Sequence, residues 1–206
     1  MIGEIMKKII ILLILVPITC ILMSGCIEST IKEADTNALH TKVEMHGAQL
    51  DAQTKKEVES AILSAITPYK EPYSSINITV EKVDKKLHLE VIGKCDACEY
   101  PDRYDFTYSN QQMVLNGYIL EAIPPSDRDK AIGIAMQKEE IKSLMQSGNL
   151  QSNPSVKRIL ASTSEKYYAP KTLISVTWSD YRTNSPIISA LIDPDIDTVV
   201  KTWSSS

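Results

Sequence analysis

In the first half of the chain, apolar residues recur first with the spacing of a helix and then with the spacing of strands. From Leu50 to Ile66 apolar residues recur every three or four positions, which predicts a helix that Asp51 caps and Pro68 ends. Beyond this helix apolar and polar residues alternate, which predicts strands. The predicted strands are Ile76–Val83, Leu87–Ile92, a segment around Phe106, and Met113–Ile123 with a bulge near Gly117.

The second half repeats this order after a break at Pro124 and Pro125. Two prolines interrupt regular pairing, and Ser126 is placed to cap a helix that ends near Gly148 and Asn149. Consecutive strands with short connections predict antiparallel pairing with a helix on one face. The expected fold class is therefore α+β, with two helix-plus-antiparallel-sheet units at residues 46–123 and 124–206. The strands predicted in the second unit are Ser155–Ala161, Thr172–Trp178, Ile187–Ile192 and Thr198–Trp203.

The second unit resembles PepSY-like domains. Its helix carries Ala131, Ile134 and Ala135 in the spacing of an A-x-x-I-A face, and its last hairpin spans Ile188–Val200. The glycine that the family has in this hairpin is absent, and Asp197 stands nearest its place. The resemblance implies a cystatin-like α+β unit in an exported protein. It also implies an association with peptidase inhibition or with the regulation of surface activities.

Residues 1–25 are typical of a targeting segment and not of a folded domain. Two lysines at positions 7 and 8 precede the apolar run Ile9–Met23. A helix of that length spans about 22 Å, less than the roughly 30 Å of a bilayer core, so a cleaved signal peptide is favoured over an uncleaved anchor. Translation can begin at Met1 or at Met6, and a start at Met6 gives the more typical signal peptide.

The targeting segment leads into Met23-Ser24-Gly25-Cys26. Small residues before a cysteine are what lipoprotein signal peptidase needs, and the motif resembles the lipobox of bacterial and archaeal lipoproteins, with Met23 in place of the usual leucine. The resemblance implies cleavage before Cys26, lipidation of its thiol, and a protein on the extracytoplasmic face of a membrane. Residues 26–45 are polar without strong periodicity, so we expect them to form a tether.

Cys95 and Cys98 form a C-x-x-C pair. Outside the cytoplasm nearby thiols tend to oxidise, so a structural disulfide is the favoured interpretation. Free or reversibly oxidised thiols and a metal site stay open as alternatives. His88 is a candidate third metal ligand, although structural zinc needs four. A thioredoxin-type site places its first thiolate at the start of a helix, and no helical pattern begins after Cys98.

Three other patterns suggest chemistry less strongly. Asp193, Asp195 and Asp197 have the spacing of calcium ligands but lack the glycine and the final glutamate of an EF-hand loop, so a solvated hairpin tip is expected. Asn77-Ile78-Thr79 matches an N-glycosylation acceptor. A group of aromatic residues is a candidate recognition surface, although strand alternation places half of them in the core. Its members are Tyr100, Tyr104, Phe106, Tyr108 and Tyr118.

The sequence contains no nucleophile elbow, phosphate-binding glycine loop or HExxH motif. Its three histidines are His40, His46 and His88, and the first two lie near the tether. We therefore expect neither an enzyme nor a cofactor. The formal net charge of −4 offers no attraction to phosphate, so nucleic acid is not an expected partner.

These observations favour a lipid-anchored extracytoplasmic module that binds a protein or peptide, for example to restrain a peptidase. Extended peptides can add to exposed sheet edges, which this architecture should have. The alternative is a redox or metal-handling surface protein that works through Cys95 and Cys98. A third interpretation is an envelope component without a ligand.

Overall fold

The computed structural model describes residues 41–146 and 150–204. This part of the chain contains nine strands and four helices. The strands are β1 (Lys42–Gly47), β2 (Ser75–Val83), β3 (Lys86–Lys94), β4 (Asp102–Ser109), β5 (Gln112–Leu120), β6 (Ser155–Ile159), β7 (Leu173–Ser179), β8 (Pro186–Asp193) and β9 (Thr198–Ser204). The helices are α1 (Ala52–Ala65), α2 (Pro125–Ala135), α3 (Glu139–Gln146) and α4 (Ala161–Ser164).

All nine strands belong to one mixed sheet, in which each strand lies beside the next strand of the chain. β1 is parallel to β2, and all later neighbours are antiparallel. β5 and β6 meet at a single register pair, Leu120 with Arg158, and this junction makes the sheet continuous. The predicted fold class of two helix-plus-antiparallel-sheet units of the PepSY or cystatin type is therefore wrong. The protein is richer in strand than that class, and its strands form a single sheet.

Helix α1 begins and ends where the sequence predicts. Asp51 accepts a hydrogen bond from the Thr54 backbone N–H at 2.9 Å, and the helix stops ahead of Pro68. Its apolar face buries Val58 and Ile62 completely. This face packs against alternate residues of β2, β3 and β4, which form the first core. The buried strand residues are Ile76, Ile78, Val80, Leu87, Leu89, Val91, Tyr104, Phe106 and Tyr108.

The single helix predicted after the double proline is two helices, α2 and α3. The helix begins at Pro125, one residue before the predicted cap Ser126, because proline is favoured in the first helical position. Ser126 therefore lies inside the helix, and its predicted capping role is wrong. The predicted end of the helix near residues 148 and 149 lies outside the described residues.

Helices α2 and α3 cover one face of the second half of the sheet. The buried residues of this second core are Ile123, Ala131, Ala135, Ile141, Val156, Ile174, Val176, Trp178, Ile188, Ala190 and Ile192. Trp178 lies at the centre of this second core and is fully buried. The side chains of β6, β7 and β8 that alternate with these core residues point to the opposite face, which α2 and α3 leave uncovered.

Strand β1 was not predicted. Residues 42–45, which the sequence assigns to the tether 26–45, belong to this strand, and its parallel pairing with β2 is possible because α1 supplies the crossover between them. Gly47 ends the strand at a φ of 101°, where an added Cβ atom would lie 2.2 Å from the Val80 carbonyl oxygen. Only glycine fits this position.

The predicted signal peptide, the lipidation site Cys26 and most of the predicted tether lie outside the described residues. In the part of the chain that the structure describes, no helix is both long enough and apolar enough to cross a membrane.

Candidate binding edge and groove

Strand β9 forms one edge of the sheet. Among the described residues it pairs only with β8, so every second backbone amide and carbonyl of β9 lacks a strand partner on its outer side. The register skips Val200, because Leu191 pairs with Lys201 while Ile192 pairs with Val199. Val200 is thus a bulge, and the regular outer segment runs from Lys201 to Ser204.

A groove lies beside this segment on the face that α2 and α3 leave open. Its volume is about 330 Å³. The ring of Trp203 from β9 and the ring of Tyr167 stand edge to face across it, with their centroids 6.0 Å apart. The full lining is Ile159, Thr163, Tyr167, Ser175, Ser189, Leu191 and Trp203. The groove therefore has apolar and aromatic walls, hydroxyl groups, and no carboxylate.

A tight turn after α4 holds Tyr167 in place. Ser164 is fully buried, and its hydroxyl lies 2.8 Å from the Ala169 carbonyl oxygen and also contacts the Lys171 carbonyl. The Tyr167 backbone N–H donates to the Ser164 carbonyl at 2.9 Å. These bonds fix a turn that carries an aromatic ring 52% exposed to solvent. Such a rigid, half-exposed ring is suited to contact a ligand.

Lys201 stands between this groove and the outer edge of β9. Its Nζ atom lies 5.7 Å from the centroid of Tyr167 and 5.3 Å from that of Trp203. Both distances are within the range of cation–π attraction. The ammonium group is therefore held at the mouth of the groove, over the two rings.

The opposite edge of the sheet, β1, carries more charged side chains than β9. Its exposed side carries three ionisable residues, with Lys42 Nζ 2.6 Å from a Glu44 oxygen and His46 Nε2 3.8 Å from the other Glu44 oxygen. The hydrogen bond and charge of Lys42 lower the pKa of Glu44, and the same contact raises the pKa of Lys42. Charged side chains on an edge discourage added strands, so β1 is the better protected edge.

A buried polar cluster joins the two halves of the sheet where β5 meets β6. Asp102 is fully buried, and Arg158 is 3% exposed. Arg158 donates to an Asp102 carboxylate oxygen at 2.6 Å and to the Thr67 carbonyl at 2.6 Å. The Tyr73 hydroxyl donates to the same Asp102 oxygen at 2.6 Å, while the Ala122 N–H donates to the other oxygen at 2.7 Å.

The electrostatics of this cluster favour the charged form of Arg158. Burial alone lowers the pKa of the Arg158 guanidinium, but the charge of Asp102 and the hydroxyls of Tyr104 and Tyr73 outweigh burial, and the net pKa is raised.

Gly93 leaves room for the Tyr73 ring, since a Cβ atom at position 93 would lie 2.8 Å from it. Because the cluster is buried and nearly all its groups are paired, we assign it a structural role.

The two cysteines of the C-x-x-C pair lie in a turn after β3. Both are free thiols in the structure, and the Cys98 N–H donates to the Cys95 carbonyl at 3.1 Å. Burial, followed by the contact with Cys95, raises the pKa of the Cys98 thiol to about 12. Exchange-active thiols have lowered pKa values, so this environment does not favour thiol exchange. The disulfide predicted between these residues stays a prediction.

The raised pKa has a measurable consequence for alkylation. After reduction, Cys98 in the folded protein should react with iodoacetamide at pH 8 at least about a hundredfold more slowly than in the unfolded chain, because only the thiolate attacks and an ordinary thiol has a pKa near 8.5. Mass spectrometry of peptides sampled over time gives both rates, with guanidinium-unfolded protein as the control. Equal rates in the two samples would contradict the burial of this thiol.

The metal alternatives find no geometric support in the described residues. His88 is in β3, where it pairs with Glu81 and Thr107 on the neighbouring strands, some seven residues before Cys95 and so on the order of 20 Å from it along the strand. In the described ranges no group of three or more histidine, cysteine, aspartate or glutamate side chains is placed to hold a metal ion.

The three aspartates of the last hairpin form ion pairs with lysines. Lys171 Nζ lies 2.5 Å from an oxygen of Asp193 and 3.2 Å from one of Asp195, and Lys130 Nζ lies 2.8 Å from one of Asp197. Asp195 and Asp197 are exposed, as predicted, but Asp193 is fully buried and not solvated. Each of the three carboxylates therefore has a lysine ammonium group as its ion-pair partner.

Three of the five residues in the candidate aromatic surface point into the first core, as strand alternation leads one to expect: Tyr104, Phe106 and Tyr108. Tyr118 accepts a hydrogen bond from the Leu160 N–H at 3.2 Å, and Tyr100 lies under the Arg128 guanidinium. The aromatic pair beside the β9 edge, Tyr167 with Trp203, was not identified from the sequence. The acceptor Asn77 is a half-buried residue of β2, between β1 and β3, and not part of a surface loop.

Comparisons with protein-family models, with curated proteins and with solved structures find no match to this chain.

Proposed function

We propose that this chain is a lipid-anchored extracytoplasmic binding module that holds an extended segment of a protein or peptide against the outer edge of β9. The observation that carries the proposal is the juxtaposition of an edge strand with a partly apolar groove beside it. When a strand adds to a sheet, main-chain hydrogen bonds supply affinity and side-chain pockets supply specificity. The Lys201–Ser204 segment offers both: a free strand edge for main-chain hydrogen bonds and, beside it, a groove for a side chain.

A comparison of the two sheet edges supports this choice. β1 bears Lys42, Glu44 and His46, whereas Lys201 is the only ionisable residue of β9. The bulge at Val200 limits added pairing to the residues that follow it, and these are the residues next to the groove. Because only a short run of backbone can pair, we expect weak main-chain binding that depends on a side chain placed in the groove.

The proposed location rests on the motif at Cys26. A lipid on this thiol, with residues 27–41 between it and β1, would keep the folded part at the outer surface of the membrane. We propose no chemical reaction for the module, and its partner would be a polypeptide with an accessible extended segment.

A selection experiment tests the binding function directly. The full chain, held in detergent, is used to select from a displayed library of random heptapeptides, and an enriched peptide is then added during amide hydrogen exchange. We expect slower exchange in Lys201–Ser204 and no change in β1. Failure to enrich any peptide, or protection confined to other strands, would contradict the proposal.

Substitution of the groove aromatic gives an independent test. Trp203→Ala should weaken binding of the selected peptide about tenfold or more, because large aromatic residues at the centre of an interface commonly contribute most of its binding energy. Fluorescence anisotropy of the labelled peptide measures the affinity.

The matched control is Tyr181→Ala, which removes another exposed aromatic ring, located after β7 and not part of the groove lining. It should leave the affinity unchanged. Equal losses in the two variants would argue against a binding role for the groove, and near-ultraviolet circular dichroism confirms that both are folded.

A further inference from the structure

We propose that the segment bound at β9 carries an acidic residue opposite Lys201 and an apolar residue opposite Trp203, separated by one residue. This inference rests on the proposed function and specifies its partner. It is argued from the register of β9, the charge at the mouth of the groove and the chemistry of the groove walls.

The register places Lys201 and Trp203 on the same side of the strand. Lys201 pairs with Leu191 and Trp203 with Ser189, and both of these β8 residues line the groove. Residues two apart on a strand share a face. An added strand therefore presents two side chains to this face, one opposite each position, and they are separated by one residue whether the strand runs parallel or antiparallel.

The charge at the first position is positive and unopposed. The Lys201 ammonium contacts the faces of two aromatic rings, and within the described residues no carboxylate forms an ion pair with it. The groove lining also contains no carboxylate. An acidic side chain opposite Lys201 would be attracted, whereas a basic one would meet a like charge directly across the strand.

The second position faces the ring of Trp203, which is 37% exposed to solvent. A leucine-sized side chain directly across from this ring would bury apolar surface against it, whereas a polar side chain would lose hydration against a ring face that offers no hydrogen-bond partner. This position should therefore select an apolar residue.

A charge-swap experiment tests the inference. The probes are labelled heptapeptides of alternating threonine and valine that carry leucine on one side of a central residue and either glutamate or lysine on the other, made in both orders. The full chain should bind the better glutamate peptide about threefold to tenfold more tightly than its lysine counterpart, as expected of a solvent-exposed ion pair, and this preference should shrink in high salt.

The variant Lys201→Glu should reverse this preference, so that the lysine peptide binds more tightly. Lys85→Glu, the same charge change in the exposed turn between β2 and β3, should keep the wild-type order. If all the peptides protect the amides of Lys201–Ser204 equally, the charge selectivity is wrong while strand addition stands. If none of them binds and the library selection also fails, the proposed function itself is overturned.

Discussion

Replacing Arg158 by methionine is expected to lower the free energy of unfolding by about 3–5 kcal/mol. The substitution removes the guanidinium that pairs with Asp102 and leaves a buried carboxylate with only the Tyr73 hydroxyl and the Ala122 N–H as donors. It also leaves the Thr67 carbonyl without its 2.6 Å donor. Urea unfolding followed by tryptophan fluorescence measures the change, since Trp178 is fully buried in the folded protein.

The control for this substitution is Arg182→Met. Arg182 lies over the exposed ring of Tyr181, in a turn after β7, and its loss should cost less than about 0.5 kcal/mol. A loss at Arg158 no larger than that at Arg182 would mean that the polar cluster does not hold the two halves of the sheet together.

Replacing Cys26 by serine is expected to abolish lipidation and, with it, cleavage by lipoprotein signal peptidase in an expressing prokaryotic cell. The variant should keep residues 1–25 and gain no acyl mass, whereas the wild-type chain is held in the membrane by its acyl chains. Each methylene group buried in the bilayer contributes about 0.8 kcal/mol, and two or more acyl chains give stable anchoring where one gives marginal binding. Without the thiol no diacylglyceryl group can be attached. Intact-mass analysis of the wild-type chain and of the variant, each isolated from expressing cells, measures the effect.

Cys20→Ser is the matched control, because it changes a cysteine inside the apolar run that the lipobox pattern does not include. It should leave the protein lipidated and in the membrane fraction. If the wild-type chain instead keeps its first 25 residues and has the mass of the unmodified polypeptide, the segment is an uncleaved anchor and the proposed lipidation is wrong.

Local patterns in the sequence predicted most of the individual elements. The helix from Ala52 to Ala65 and the strands of both halves lie close to the predicted positions, since their apolar residues recur with the spacing of one buried face. The bulge near Gly117 is also present, as a register shift that skips Asn116. These features depend on residues near in sequence, which is why periodicity and turn chemistry identify them.

The way in which the two halves join could not be predicted from such patterns. The junction depends on Arg158, which looks like an ordinary polar residue of an alternating strand, and on Asp102, which follows a proline in a loop-like stretch. Only the folded structure shows that they meet across 56 positions of sequence. β1 was not predicted, because its short alternation of charged and apolar residues resembles the polar segment expected of a tether.

The candidate site was also not predicted, because its two aromatic residues are far apart in the sequence. Tyr167 lies in a short turn, and Trp203 lies three residues from the end of the sequence, with more than thirty positions between them. Aromatic residues that are close in sequence drew attention to the stretch around Phe106, but strand alternation turns those rings inward. A signal was available in the alternation of the last strand, which puts Lys201 and Trp203 on one side.

The uninterrupted strand order has a consequence for how the protein acquires its structure. A chain that emerges amino end first delivers β2 before β3, β3 before β4, and so on, so each new antiparallel strand finds its neighbour already present. Most pairings then close short loops, which favours rapid folding because little chain entropy is lost before contacts form. Assembly can therefore follow the order of the chain from its amino end, with each antiparallel strand pairing to the strand that precedes it.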